Sequence, residues 1–416
     1  MDVDGSACTV ERMFASPPIT DNIFCRLTPL SLTRMASVCR GIRSVAKDFQ
    51  RRAYNINRRL ELFVTDPGAF RSLMARTHMV ISGSFALQFF DRTFYPESDL
   101  DIYVHPDGSI GEVGLYLIKD GYEYTRQSWQ LEHYEQEVQR ILADMDPDLD
   151  DLEDDDELGF LYDLQSVRAV YTFKRGNGCD AKKVQIIVSR VSPLASILDF
   201  HSSAHLSWDV SSGCSFFIVA CVMNIITYNA AYSLYPYATF ERRDTIVLNA
   251  RSRAQEALTK YASRGWRILA KSSPLNSYLH SSRRNFLYSP WFFVDKPRWV
   301  CDGMSWTIPL DTTGVTSPPP PSVSSRELEW DPLAECGWKM TVLCNTVDMD
   351  YLHIKSKILR WQYTSPESGH IYYILQFLTD QGKLEHAKVP AGRTREDVAD
   401  AWTWCVCLLV QLSSYL

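Results

Sequence analysis

A strand, a Gly-Ser turn, a helix and a second strand opening on Asp-x-Asp follow one another between Met79 and Val104, and this order constrains the chain more than any other feature. Met79 to Ile81 is apolar, Ser82-Gly83-Ser84 suits a tight turn, and Phe85 to Phe94 has helical spacing. Ile102, Tyr103 and Val104 continue a strand after Asp99. A helix returned so quickly to a neighbouring strand must pack on the sheet it left, which predicts an α+β fold with a mixed sheet. Val167 to Lys174 and Val184 to Ser189, separated by Gly176-Asn177-Gly178, add a hairpin to it.

The same residues carry a chemistry. Side chains at i and i+2 of a strand share a face, so Asp99 and Asp101 project together while Leu100 and Ile102 enter the core. Two carboxylates held this way can share divalent cations, and magnesium prefers oxygen ligands together with substrate phosphates. At Gly83 the backbone can approach a phosphate closely, and the free N–H groups of the helix start at Ser84 favour negative charge. A polar edge-strand face and a routine helix cap remain the plainer account of these four residues.

Ile81-Ser82-Gly83-Ser84 followed by Ser98-Asp99-Leu100-Asp101-Ile102 resembles the first two motifs of the polymerase-beta-like nucleotidyltransferase superfamily. The resemblance implies a nucleoside triphosphate at Gly83 and Ser84, with Mg2+ on Asp99 and Asp101 as metal ligands and catalytic groups. It also implies a third carboxylate from a neighbouring strand. The best-placed strand reads Val184-Gln185-Ile186-Ile187-Val188, so Gln185 stands at that position. An amide can lend an oxygen, but it brings no charge and cannot act as a base. Asp180 and Asp199 are the nearby substitutes.

Upstream, Ile19 to Leu62 reads as short helices: Ile23, Phe24 and Leu27 share one face, Leu32, Met35, Ala36 and Cys39 another, with Pro29 between the runs. With Pro18 and Val38-Cys39-Arg40-Gly41-Ile42-Arg43, this segment resembles the F-box, although Ser16-Pro17-Pro18-Ile19 replaces the usual Leu-Pro-x-Glu opening. The resemblance implies docking of Ile23, Phe24, Leu27 and Leu32 on a Skp-type adaptor of a cullin-RING ubiquitin ligase. A helical lid on the sheet is the alternative. Together with Ser82 to Pro96, Phe200-His201-Ser202 and Cys221-Val222-Met223-Asn224, it is similar to an expanded fungal group of F-box-like proteins with a nucleotidyltransferase-fold domain.

The expected organisation is an F-box-like helical segment over 1–66 and a nucleotidyltransferase-like domain over 67–270. An aromatic-rich extension over 271–316, a Pro-rich linker over 317–325 and a small α+β region over 326–416 follow. Strands are expected at Met340 to Cys344, Ile358 to Tyr363 and Ile371 to Leu378, and helices at Asn249 to Arg264 and Thr394 to Leu412. The acidic run 144–157 repels itself and reads as a solvated loop rather than a calcium site. The segment 204–220 has one acidic side chain, no Lys or Arg and an apolar end, and reads as an insertion, either a translated unspliced intron or a natural insertion that packs on the core.

A formal charge of -7 argues against broad attraction to nucleic acid. The apolar runs Cys214 to Ile226 and Cys405 to Leu412 are too short to cross a hydrocarbon core of about 30 Å as helices, so no membrane partner is expected. Eleven cysteines without a C-x-x-C pair point to reduced thiols and an intracellular home, cytoplasmic or nuclear. Three functions stay open from sequence. The first is a binding or adaptor role on a degenerate nucleotidyltransferase-like scaffold. The others are Mg-dependent nucleotidyl transfer to an unidentified acceptor, and an interaction protein with no nucleotide site.

Overall fold

The computed structural model of the chain describes residues 14, 16–143, 166–178, 181–199, 220–246, 254–269, 290–316, 333–343, 346–354, 363–366 and 387. The acidic run 144–157, residues 204–219 of the expected insertion and the linker 317–325 lie outside the described residues. So do Asp180, His201, the strand expected at Ile371 to Leu378 and the helix expected at Thr394 to Leu412.

Three short helices open the chain: α1 (Pro17–Phe24), α2 (Pro29–Ala36) and α3 (Arg40–Ala53). Pro17 and Pro29 sit in first turns, where the N–H they lack has no helical partner to lose. Thr28 caps α2 by accepting from the Ser31 N–H. The helices close on a core of their own built from Phe24, Leu32, Ala46 and Phe49, with Ile23, Leu27, Met35 and Ile42 packed around it.

α4 (Ile56–Leu60) and α5 (Pro67–Thr77) follow, and here the packing departs from the sequence-based boundary at residue 66. Tyr54, Ile56, Leu60, Phe63 and Val64 pack in the main core, so the small unit ends near Ala53. Then come β1 (Val80–Ser82), α6 (Gly83–Asp91), β2 (Leu100–Val104), α7 (Ser109–Lys119), β3 (Glu123–Thr125) and α8 (Tyr134–Ala143). The hairpin is β4 (Val167–Arg175) and β5 (Lys182–Ser189), antiparallel as expected. α9 (Pro193–Asp199), β6 (Asn224–Ile226) and β7 (Ala230–Ser233) continue. β8 (Asp244–Ile246), α10 (Ala254–Ser263) and β9 (Arg267–Leu269) come next. β10 (Pro297–Trp299), β11 (Trp306–Pro309), β12 (Gly337–Leu343), β13 (Thr346–Asp350), β14 (Leu352–Ile354) and β15 (Tyr363–Ser365) are the last elements described.

Eight strands form one mixed sheet in the order β11-β7-β6-β1-β2-β5-β4-β3, with β2 and β5 parallel. Strand alternation gives the sheet two cores. Ile81, Ile102, Val184 and Ile186 face the first, with Phe70 of α5, Phe89 of α6, Val113 of α7 and Val138 of α8. Val80, Tyr103, Ile187 and Ile225 face the second, with Leu194 and Ile197 of α9, Phe292 and Trp338.

Two further boundaries shift. Residues 271–316 read as a separate extension, yet β11 is hydrogen-bonded along β7, and Trp306 packs against Tyr54, Phe90 and Phe240. The region after 325 is likewise tied back. β12 pairs with β10 from before the linker, and buried Trp338 donates its indole N–H to the Tyr235 hydroxyl at 2.9 Å. Apolar aromatic side chains at short strands explain both: each strand is too small to bury its rings alone. Among the described residues no helix is long and apolar enough to cross a membrane.

Candidate functional site

One face of the sheet turns from apolar to polar at the start of β2 and β5. On β2 the row runs Tyr103, Asp101 and, one step ahead of the strand, Asp99; on β5 it runs Ile187, Gln185 and Lys183. The parallel register sets Tyr103 beside Ile187 and Asp101 beside Gln185. Tyr103 and Ile187 are buried in the second core, whereas Asp99, Asp101 and Lys183 are partly exposed. The antiparallel β1 brings Ser82 opposite Asp101, so the Gly83 turn and the start of α6 arrive at the same place.

Asp101 lies directly against that turn. A side chain on Gly83 would collide with the Asp101 Oδ2, and the Gly83 φ of 71° is one that L-residues avoid. Burial, and after it the Asp99 carboxylate, push the Asp101 carboxyl up to about 7, with Lys183 and Lys260 pulling the other way. Lys183 extends its ammonium over the cleft, donating to Asp99 Oδ2 at 2.8 Å and to Gln185 Oε1 at 3.2 Å. Lys260 of α10 faces the same carboxylates; burial and Arg264 lower its pKa while Asp99, Asp101 and Glu97 hold it up.

The Ser84 hydroxyl is turned to the neighbouring loop. The residue is nearly buried, and its Oγ is engaged with Ser98 Oγ at 2.5 Å on the loop entering β2. Gln88, one turn along α6, ties the same loop down: its Nε2 donates to the Ser84 carbonyl at 3.0 Å and its Oε1 accepts from the Tyr95 N–H at 2.5 Å. Ser82 does not cap α6, because its hydroxyl goes to the Asn224 carbonyl at 2.8 Å. The structure therefore brings Gly83, Asp99, Asp101 and Gln185 together and gives Ser84 to the loop. Asp199 ends α9, which packs under the second core.

Lys183 is the residue that sequence reading passed over. Its signal was present: Lys183 and Gln185 are two apart on one strand and must share a face. Only the parallel register, however, sets that face beside Asp99. Arg264 and Arg267 are both engaged nearby: Arg264 lies over the Tyr95 ring at 3.8 Å, and Arg267 Nε donates to Asp244 at 2.8 Å. Among the described residues no three His, Cys, Asp or Glu side chains gather in a way that could hold a metal ion.

The second candidate region is the N-terminal unit. Phe24 and Leu32, expected on a partner-binding face, are fully buried in the unit's own core, and Ile23 and Leu27 are partly buried against it. The reason is size: three helices of this length have few apolar residues, and the most regular ones are consumed in closing the bundle. What remains outside is Ile19, 44 % exposed, and Val38, 67 % exposed. The unit is pinned to the sheet domain on another side. Arg92 donates to the Phe24 carbonyl at 3.0 Å and to the Leu27 carbonyl at 2.5 Å, and Glu241 accepts from the Leu30 N–H at 2.8 Å.

Residues 17–54 match the F-box domain. The match ends at Tyr54, where the packing also leaves the small core, so family pattern and physical unit coincide. The F-box here is α1 to α3. No curated protein and no solved structure matches the chain.

Proposed function

We propose that the chain is an adaptor subunit whose F-box docks on a Skp-type partner of a ubiquitin ligase, while the sheet domain, a degenerate nucleotidyltransferase-like scaffold, presents the cargo. The observation that carries this reading is the F-box match over 17–54 on a closed helical unit that leaves Ile19 and Val38 in water. Large apolar side chains this exposed on a small polar unit suit a partner's apolar surface. Rigid attachment through Arg92 and Glu241 suits an adaptor, since it fixes the direction in which the sheet domain is held. Degeneracy of the cleft is supported by Gln185 in place of a third carboxylate and by the ammonium of Lys183 among the ligand atoms.

Co-purification with a Skp-type adaptor tests the proposal. The wild-type chain should retain the adaptor, and Ile19→Asp with Val38→Asp should lose it at least tenfold by burying unpaired charge in the contact. Their unfolding midpoints should stay at the wild-type value. Failure of the wild-type chain to retain the adaptor would leave the three helices as a lid.

One arrangement favours a second reading, magnesium-dependent nucleotidyl transfer: the contact of Asp101 with Gly83 beside Asp99, where the resemblance implies metal and phosphates. Calorimetric titration with each nucleoside triphosphate and Mg2+ separates the two. Saturable heat lost in Asp101→Asn supports the enzyme reading; no heat supports the scaffold.

A further inference from the structure

A divalent-cation site holds its ion by a surplus of negative charge, and the number of ligand charges sets the affinity. At the cleft that surplus is absent. Two carboxylates, Asp99 and Asp101, are answered by two ammonium groups, Lys183 and Lys260: Lys183 pairs with Asp99, and Asp101 lies within electrostatic reach of both lysines. The counter-charge is also in a telling position. The Lys183 ammonium bridges Asp99 Oδ2 and Gln185 Oε1, so its nitrogen occupies the space between the strands from which those two oxygens would reach a cation. Asp101 lies beside Gln185 in the parallel register and completes the surround.

We propose that Lys183 is a built-in counter-ion that takes the place of a divalent metal between Asp99 and Gln185, making the cleft metal-independent and excluding Mg2+ from it. The inference rests on reading the cleft as a degenerate nucleotidyltransferase-like site, and it assigns the degeneracy to a residue outside the carboxylate positions. Gln185 removes one negative charge, and Lys183 adds a positive one two residues away on the same face. The pair therefore shifts the site by two charges. Restoring a carboxylate at 185 alone would leave the ammonium in place, now with two carboxylates to bind.

Lys183 is at the exposed end of β5, with about a third of its side chain in water, so replacing it opens no core cavity. Lys183→Met keeps the stem and removes the charge; Lys183→Gln keeps a polar end should the apolar one impair folding. Mn2+ serves as the probe, its free ion counted by the loss of its electron paramagnetic resonance signal on binding, with Mg2+ as competitor. The full-length wild-type chain should leave the signal unchanged at millimolar Mn2+. Lys183→Met should bind one Mn2+ at least tenfold more tightly, and Lys183→Met with Gln185→Asp at least tenfold more tightly again. Adding Asp99→Asn to the double variant should abolish the gain, which ties it to this cleft. Saturable Mn2+ binding of the same strength by wild type and Lys183→Met would overturn the proposal together with the degenerate reading. No binding by any variant would overturn the proposal alone and leave the adaptor reading standing.

Discussion

The F-box unit and the aspartate cleft are both marked by a few residues in order, yet those residues do opposite things once the chain folds. In the F-box the marking residues, Phe24 and Leu32, go inside, and the large apolar side chains left in water are Ile19 and Val38. In the cleft the marking residues, Asp99 and Asp101, stay half-buried at its wall and are answered by side chains from other elements, Lys183 and Lys260. A packing motif reports the core that shapes a docking surface, whereas a chemical motif reports the surface itself. Motif residues are safe to treat as contact residues only in the second case.

The sharpest way to break this contrast is to shorten a marking residue in each region. Phe24→Ala should cost about 3–5 kcal/mol of F-box stability, because the ring is fully buried against Phe49 with few neighbours to close the gap. Hydrogen exchange should show the loss confined to residues 17–53, with β1 to β7 protected as before. Global unfolding would show instead that the Arg92 and Glu241 contacts merge the two units into one.

Gly83→Ala comes next, at about 2 kcal/mol, from a left-handed backbone that alanine resists together with contact on Asp101. Urea unfolding of the single variant and of its combination with Asp101→Ala should show a smaller cost in the combination. The contact term is relieved and the backbone term stays.

Asp101→Asn has the opposite sign and the smallest size. Below pH 3.8 the carboxyl is protonated in both folded and unfolded chains. Between 3.8 and about 7 the folded chain keeps a proton that the unfolded chain has lost, so stability falls as pH rises through that window. Above it, Asp101→Asn should be more stable than wild type by about 1–2 kcal/mol, reduced from the full shift because the side chain is partly exposed. The gain should shrink as pH falls towards 4. Urea midpoints at pH 8, 6 and 4 check it, and a pH-independent difference would show that Asp101 is ionised without cost.

The strand, turn, helix and strand around Gly83 were legible because each signal is local: apolar Met79 to Ile81, a turn residue that alone tolerates φ of 71°, and alternation from Asp99 onward. The β4–β5 hairpin was legible for the same reason. What was hidden depends on register or on distance. Lys183 became part of the cleft only when β5 lined up parallel to β2. β11 has only four residues, and nothing near it in sequence announces that Trp306 packs with Tyr54, some 250 positions earlier. The F-box limit near Ala53 was hidden because the short helices from Ile19 to Leu62 carry apolar residues throughout, while those before and after Ala53 serve two different cores.

The place of β11 at the edge of the main sheet has a consequence for how the chain is made. The F-box closes on a core drawn from Phe24, Leu32, Ala46 and Phe49, so its own packing is local. The sheet cannot be finished until Pro309 has emerged, because its last strand in sequence must pair with β7, more than 70 residues earlier, at the sheet's edge. Long-range pairing of this kind is slow compared with local helix packing. During synthesis the chain thus spends a period with a closed F-box and an unfinished sheet domain.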